Sequence, residues 1–218
     1  MAIAAALIIQ LLFAFTSAEG CATFGAGVAR GTVSIPGLKE ASGIAASRLN
    51  SGVLWTHNDG SSGAVHAVAM NGAHLATFYL NSPVIDTEDI AVGPGPDSGV
   101  SYLYFGDIGG NHGRRETQVF RIPEPFVDPG WAGAPQSLDF SGAEAFTLVY
   151  PDGNYDAESL MVDPVTSDLF VVTKQDGVAR VYRANLNSIP PGSRVRLLFE
   201  AALPFSKASG GDISADGT

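Results

Sequence analysis

DTEDIAV, at residues 86–92, returns three times in altered form: EASGIAA at 40–46, DAESLMV at 156–162 and SGGDISA at 209–215. Each copy is a polar or acidic cluster followed by an aliphatic residue that opens a short apolar run. The aliphatic residues Ile44, Ile90, Leu160 and Ile213 stand 46, 70 and 53 residues apart. A period near fifty is the length of one four-stranded blade, and the long middle step calls for an insertion.

Working outward from these copies, a second apolar run follows each of the first three: VLWT at 53–56, YLYF at 102–105 and LFVV at 169–172. Third and fourth strands are expected at 64–70 and 74–80, at 117–122 and 145–150, and at 179–184 and 194–199. The insertion in the second unit is residues 123–141, whose Pro and Gly content reads as a surface loop rather than a strand. The fold class this predicts is all-β, a β-propeller of four-stranded blades. About three blades are present, and the fourth copy stops where the next blade should begin, so a chain truncated from a six-bladed ring is expected. The residues divide into 1–18, a signal peptide; 19–35, a leader in which Val33 to Ile35 is a possible ring-closing strand; and 36–218, a partial propeller. GAGVARG at 25–31 has no strand before it and reads as flexible leader.

Composition agrees with this reading and excludes others. The chain is 45% hydrophobic and 16% charged, with 26 Gly and 13 Pro, so it can bury a core and turn often. A formal charge of −10 repels polyanions, so no nucleic-acid partner is expected. The apolar run MAIAAALIIQLLFAF leads into small residues ending at Ala18, suitable for cleavage there, although no Lys or Arg precedes it. The expected location is secreted or periplasmic, with no transmembrane segment after cleavage. Cys21 is the single cysteine, so no intrachain disulfide is available, and its surroundings match a lipid-attachment signal poorly. There is no Gly-x-Ser-x-Gly elbow, Walker loop, Cys-x-x-Cys or His-Glu-x-x-His.

At SGIAAS (42–47), WTHNDG (55–60), EDIAVGP (88–94), GDIGGN (106–111), RIPEP (121–125), DAE (156–158) with VDP (162–164), and VTK (172–174), the sequence resembles a bacterial family of exported propellers of uncharacterised function. The resemblance covers residues 40–218. More distantly the layout looks like the gluconolactonase, NHL-repeat and phytase-like propellers, several of which hold calcium or another divalent cation near the channel. One departure stands out: Gly110 occupies a place where the close family suggests Asp.

In a propeller the loop before each innermost strand opens on the same face as the loop after the second strand. The first set brings Glu40, Asp86, Glu88, Asp89, Asp156, Glu158 and Asp212; the second, by spacing, brings Asn58, Asp107 and Lys174 as equivalents. Crowded carboxylates raise one another's pKa or collect a cation, and oxygen ligands favour calcium. The expected metal set is Glu88, Asp89, Asp107, Glu158 and Asn58, with Ca2+ as the cofactor. Lys174 and His57 are the expected substrate contacts, and Arg114 and Arg115 lie near the mouth. Asp59, Asp152, Asp176 and Asp216 each precede Gly and read as turn formers. His66, His74 and His112 read as structural or exposed. Two functions fit: a divalent-cation-dependent hydrolase of phosphate esters or lactones acting on a small anionic molecule, or a non-catalytic envelope scaffold that binds a protein or glycan.

Overall fold

The computed structural model describes residues 25–110 and 113–217. The signal-peptide reading of residues 1–18, together with Cys21 and His112, lies outside them. The described residues are all-β but for one 3-10 turn at Pro129–Trp131, and no helix among them is long and apolar enough to cross a membrane.

Three consecutive up-and-down sheets carry the fold. The first is β1 (Ala41–Ala46), β2 (Val53–Asn58), β3 (Ala64–Ala69) and β4 (His74–Tyr79). The second is β5 (Asp89–Pro94), β6 (Ser101–Asp107), β7 (Thr117–Pro123) and, after β8 (Gln136–Asp139), β9 (Glu144–Val149). The third is β10 (Ala157–Val162), β11 (Asp168–Thr173), β12 (Arg180–Asn185) and, after β13 (Arg194–Arg196), β14 (Leu198–Ala202). Three copies of the repeated motif thus open innermost strands. The fourth, around Ile213, forms no strand among the described residues, although Asp212 Oδ1 accepts from Ile213 N at 2.9 Å, as Asp89 Oδ1 does from Ile90 N.

Period-2 alternation explains why the middle sheet sits inside. Along β6, Leu103 and Phe105 point into a core shared with Trp55, Phe78 and Ile90, whereas Tyr102 and Tyr104 point into a second core with Phe146, Leu160 and Tyr182. A strand apolar on both faces belongs between two layers. Each fully buried Leu or Phe contributes about 1.5–3 kcal/mol, so these two cores fix the order of the sheets. The innermost strands lie side by side, with β5 between β1 and β10. Gly43 makes that approach possible, because a Cβ there would lie 2.5 Å from both Asp89 Oδ1 and Ile90 N.

Two sequence expectations are corrected. The insertion at 123–141 is not loop throughout: β8 within it pairs in parallel with β4, from Ala76 opposite Gln136 to Tyr79 opposite Asp139. Phe140 follows, stacked on Phe78 with ring centroids 5.3 Å apart. A short polar strand whose partner lies in the preceding sheet leaves no local alternation to read. Residues 194–199 are likewise not one strand. β13 pairs in parallel with β9, Leu197 N donates to Val149 O at 2.9 Å, and the chain then crosses to pair β14 with β12. Each of the first two sheets therefore gains a fifth, parallel strand from a connection that leads to the outermost strand of the next sheet. Val33 to Ile35 forms no strand; Ile35 is buried, and its carbonyl accepts from Leu38 N in a turn.

Candidate functional site: an acidic rim between two sheets

The rim is assembled by backbone pairing beyond the strand ends. Gly60 and Thr87 form an isolated antiparallel bridge, with Thr87 N donating to Gly60 O at 2.8 Å. On the other side Glu88 N donates to Gly106 O at 3.0 Å and Gly109 N to Asp86 O at 3.1 Å. Residues 86–88 are thus held between the loop after β2 and the loop after β6. The pairing brings ligand atoms of Asp59, Asp86 and Glu88 within 4.8 Å of one another.

Burial gives this cluster its character. Asp86 and Glu88 are buried and Asp59 is exposed, so the group opens to solvent on one side. Glu88 Oε1 is buried without a hydrogen-bond partner. Burial, then the negative charges of Asp59, Glu158, Asp86 and Asp156, push the Glu88 carboxyl up to about 8. Gly109 makes room for the cluster: a Cβ there would overlap the Asp86 carboxylate and lie 2.5 Å from Glu88 Oε1.

The other expected residues occupy different stations. Asp107 lies directly behind Asp86: its Oδ1 accepts from Asp86 N at 2.8 Å and from Arg114, while its Oδ2 is buried and unpartnered. Glu158 is tied to Lys174, whose pKa its hydrogen bond raises. Asp89 turns away from the cluster. Its Oδ2 accepts from Leu160 N at 2.8 Å, and burial pushes its carboxyl up to about 7 against the lowering effect of the Leu160, Ile90 and Gly211 backbone N–H groups. It brackets the innermost strands together.

Asn58 is spent on the backbone before β1: Oδ1 accepts from Lys39 N and Glu40 N at 2.9 and 3.1 Å, and Nδ2 donates to Gly37 O at 2.7 Å. His57 is fully buried. Gly43 N donates to Nε2 at 3.2 Å, which leaves Nδ1 to donate to Asn58 O at 2.7 Å, and burial holds the ring at about 4. It is a neutral bracket between β1 and β2, out of reach of a substrate.

Sequence spacing left Asp59 outside the site for a definable reason. Ile44 pairs with Thr56, twelve residues on, but Leu160 pairs with Val171, eleven on. Equal spacing from the aliphatic residue therefore does not mean equal place. Lys174 N donates to Asp156 O, and in the first sheet Asp59 N makes the corresponding bond to Glu40 O, both at 2.9 Å. Asp59, not Asn58, is the counterpart of Lys174. Gly60, with φ +95° in the left-handed region that favours glycine, follows Asp59 at the bend that presents its carboxylate. Gly110 has its own logic: a Cβ would lie 2.7 Å from Asp156 Cα, and Gly110 N donates to Asp156 Oδ1 at 2.6 Å. No Asp fits there unless this contact opens.

The donor set fits a hard divalent cation. All three groups are carboxylates, one has an unsatisfied buried oxygen, and one faces water; calcium takes six to eight such oxygens, with carbonyls and water completing the shell.

No protein-family model matches the chain, and no curated protein matches it. Among solved structures it is similar to one described as "Structure of Dos1 propeller", at 13% identity with a TM-score of 0.33. The match covers 81% of this chain and 51% of that one, so the chain spans about half the length of the solved structure.

Proposed function

We propose that the three sheets are an arc of an exported β-propeller whose rim binds a divalent cation, calcium first, through Asp59, Asp86 and Glu88. The observation that carries this reading is Glu88 Oε1, buried without a partner among carboxylates that repel it. A cation there would satisfy the orphaned oxygen and cancel the repulsion together. Asp107 would act behind the site, holding the backbone of Asp86. Because Asp59 belongs to the first sheet and Asp86 and Glu88 lead into the second, the cation would fasten the two, which suits a rigid scaffold presenting loops to an envelope protein or glycan.

A catalytic reading has one observation in its favour: the exposed Asp59 side leaves a position open to water. A divalent cation supplies polarisation of a phosphate-ester or lactone oxygen and a lowered pKa for water. Arg114 is paired with Asp107 and Lys174 with Glu158, which argues against a free anion clamp.

Thermal melts of the chain with calcium and with chelator test the proposal. Binding should raise the midpoint in proportion to the logarithm of calcium concentration. Equal midpoints would refute the cation site. A screen of phosphate esters and lactones on the calcium-loaded protein separates the scaffold from the hydrolase.

A further inference from the structure

We propose that the cleft between the first and second sheets, beside the acidic rim, binds the carboxylate of a small organic acid, gripped side-on by Nε and Nη2 of Arg114. The cleft follows from strand register. Asp107 stands opposite Gln118, and Gln118 opposite Thr147, so the three form one row on the face turned toward the first sheet. Two residues on from Gln118, Phe120 belongs to the core shared with Trp55 and Phe78, so the row continues that core to the rim as a polar floor. The chain crossing from the first sheet supplies an apolar wall, Pro83 and Ile85, and Arg114 and Arg115 supply another side. The space between them is about 440 Å³, and Ile85 is 48% exposed.

Arg114 is the centre of the cleft. Its side chain is 8% exposed, and the pairing with Asp107 spends only Nη1, which donates to Asp107 Oδ1 and, at 3.4 Å, to Gly109 O. Nε and Nη2 make no hydrogen bond among the described residues. Arg121, 3% exposed, shows what a purely structural arginine does in this fold: Nε and Nη2 meet Glu144, and Nη1 meets Leu186 O and Asn187 Oδ1. Leaving donors of a largely buried guanidinium unpaired is costly, and its Nε–Nη2 edge fits both oxygens of one carboxylate. Arg115 adds a second positive charge with no ion pair among the described residues, whereas Glu116 is neutralised by Arg194. Gln118 and Thr147, whose side chains make no hydrogen bond among the described residues, offer polar contacts, and Pro83 and Ile85 an apolar one. The ligand class is therefore a carboxylate on a compact apolar body. None of the lining residues belongs to the cation set, so carboxylate binding is independent of the calcium site.

The test uses the full chain, with benzoate as the probe and benzamide as its uncharged isostere, followed by nitrogen-edited NMR. Benzoate should shift the Arg114 Nε–H resonance and the amides of Ile85, Gln118 and Thr147 to saturation, and benzamide should bind at least about tenfold more weakly. Arg114→Lys keeps a positive charge for Asp107 but removes the fork, and should weaken benzoate about tenfold, with the thermal melt confirming the fold. Arg115→Ala, an exposed change, should weaken it about threefold. Calcium and chelator arms separate the two sites. Benzoate binding in chelator by a chain without a calcium-dependent melt would refute the cation site alone, and a calcium-dependent melt without benzoate binding would refute the cleft alone. The proposal is overturned by no saturable shift in a folded chain, by shifts confined to other residues, by equal binding of benzamide, or by undiminished binding in Arg114→Lys.

Discussion

Glu88 and Glu124 are both buried, 3% and 6% exposed, and lie at opposite ends of β6. Their surroundings are opposite. The Glu124 carboxylate accepts from Trp55 Nε1 at 2.8 Å, from Leu49 N and Arg48 N at 3.0 and 3.3 Å, and from the hydroxyls of Ser47 and Ser101. Glu88 has an oxygen with no partner and carboxylates for neighbours. Burying a charge is costly unless donors replace the lost water. Glu124 is therefore complete as it stands and stitches the first sheet to the second, whereas Glu88 needs a proton or a cation. The comparison teaches that burial of an acid does not mark a site; the unmet demand of its oxygens does.

The sharpest test of the contrast is Glu124→Ala, which strands five donors. It should destabilise the chain by about 3–5 kcal/mol in urea denaturation, with calcium giving no compensation. Glu88→Gln should do the reverse, raising the stability of the calcium-free protein by about 1–2 kcal/mol at pH 8 and removing its calcium-dependent melting shift. A Glu88→Gln variant that keeps the full shift would break the comparison.

The pH dependence follows from the direction of the Glu88 shift. Folded Glu88 holds its proton more tightly than unfolded, with a pKa of about 8 against 4.5. Its contribution to stability is then complete below about pH 4.5 and is lost as pH rises toward 8. In chelator, melts should show that decline; with calcium, or in Glu88→Gln, it should flatten.

Gly109→Ala asks whether space rather than charge limits the rim. Every carboxylate remains, but the added methyl collides with Asp86 and Glu88. Calorimetry should show calcium binding about tenfold weaker, equivalent to about 1.4 kcal/mol. The smallest effect is expected at Asp59, the solvated member. Asp59→Asn should weaken calcium about threefold and change calcium-free stability by less than about 0.5 kcal/mol.

Much of the fold was legible because its signals are local. The apolar second strands of each unit, such as YLYF, lie within β2, β6 and β11. The site was legible only as a neighbourhood. Glu88 and Asp89 were expected as ligands of one site, yet Asp89, one residue on, faces the other way, because adjacent residues of a strand point to opposite sides.

By itself the sequence determined the all-β class, the repeat and the acidic end of the sheets, since periodicity, turn residues and charge are properties of neighbours along the chain. Only the tertiary structure decided which acids meet. The Gly60–Thr87 bridge joins two sheets, the bulge between Ala41 and Ile44 shifts the register of β1 and β2, and β8 and β13 cap sheets other than the one their sequence neighbourhood suggests. The bridge and the two caps depend on pairing between segments far apart in the chain, and within the β1–β2 hairpin a one-residue difference in length exchanges Asn58 for Asp59, and with it a backbone brace for a ligand.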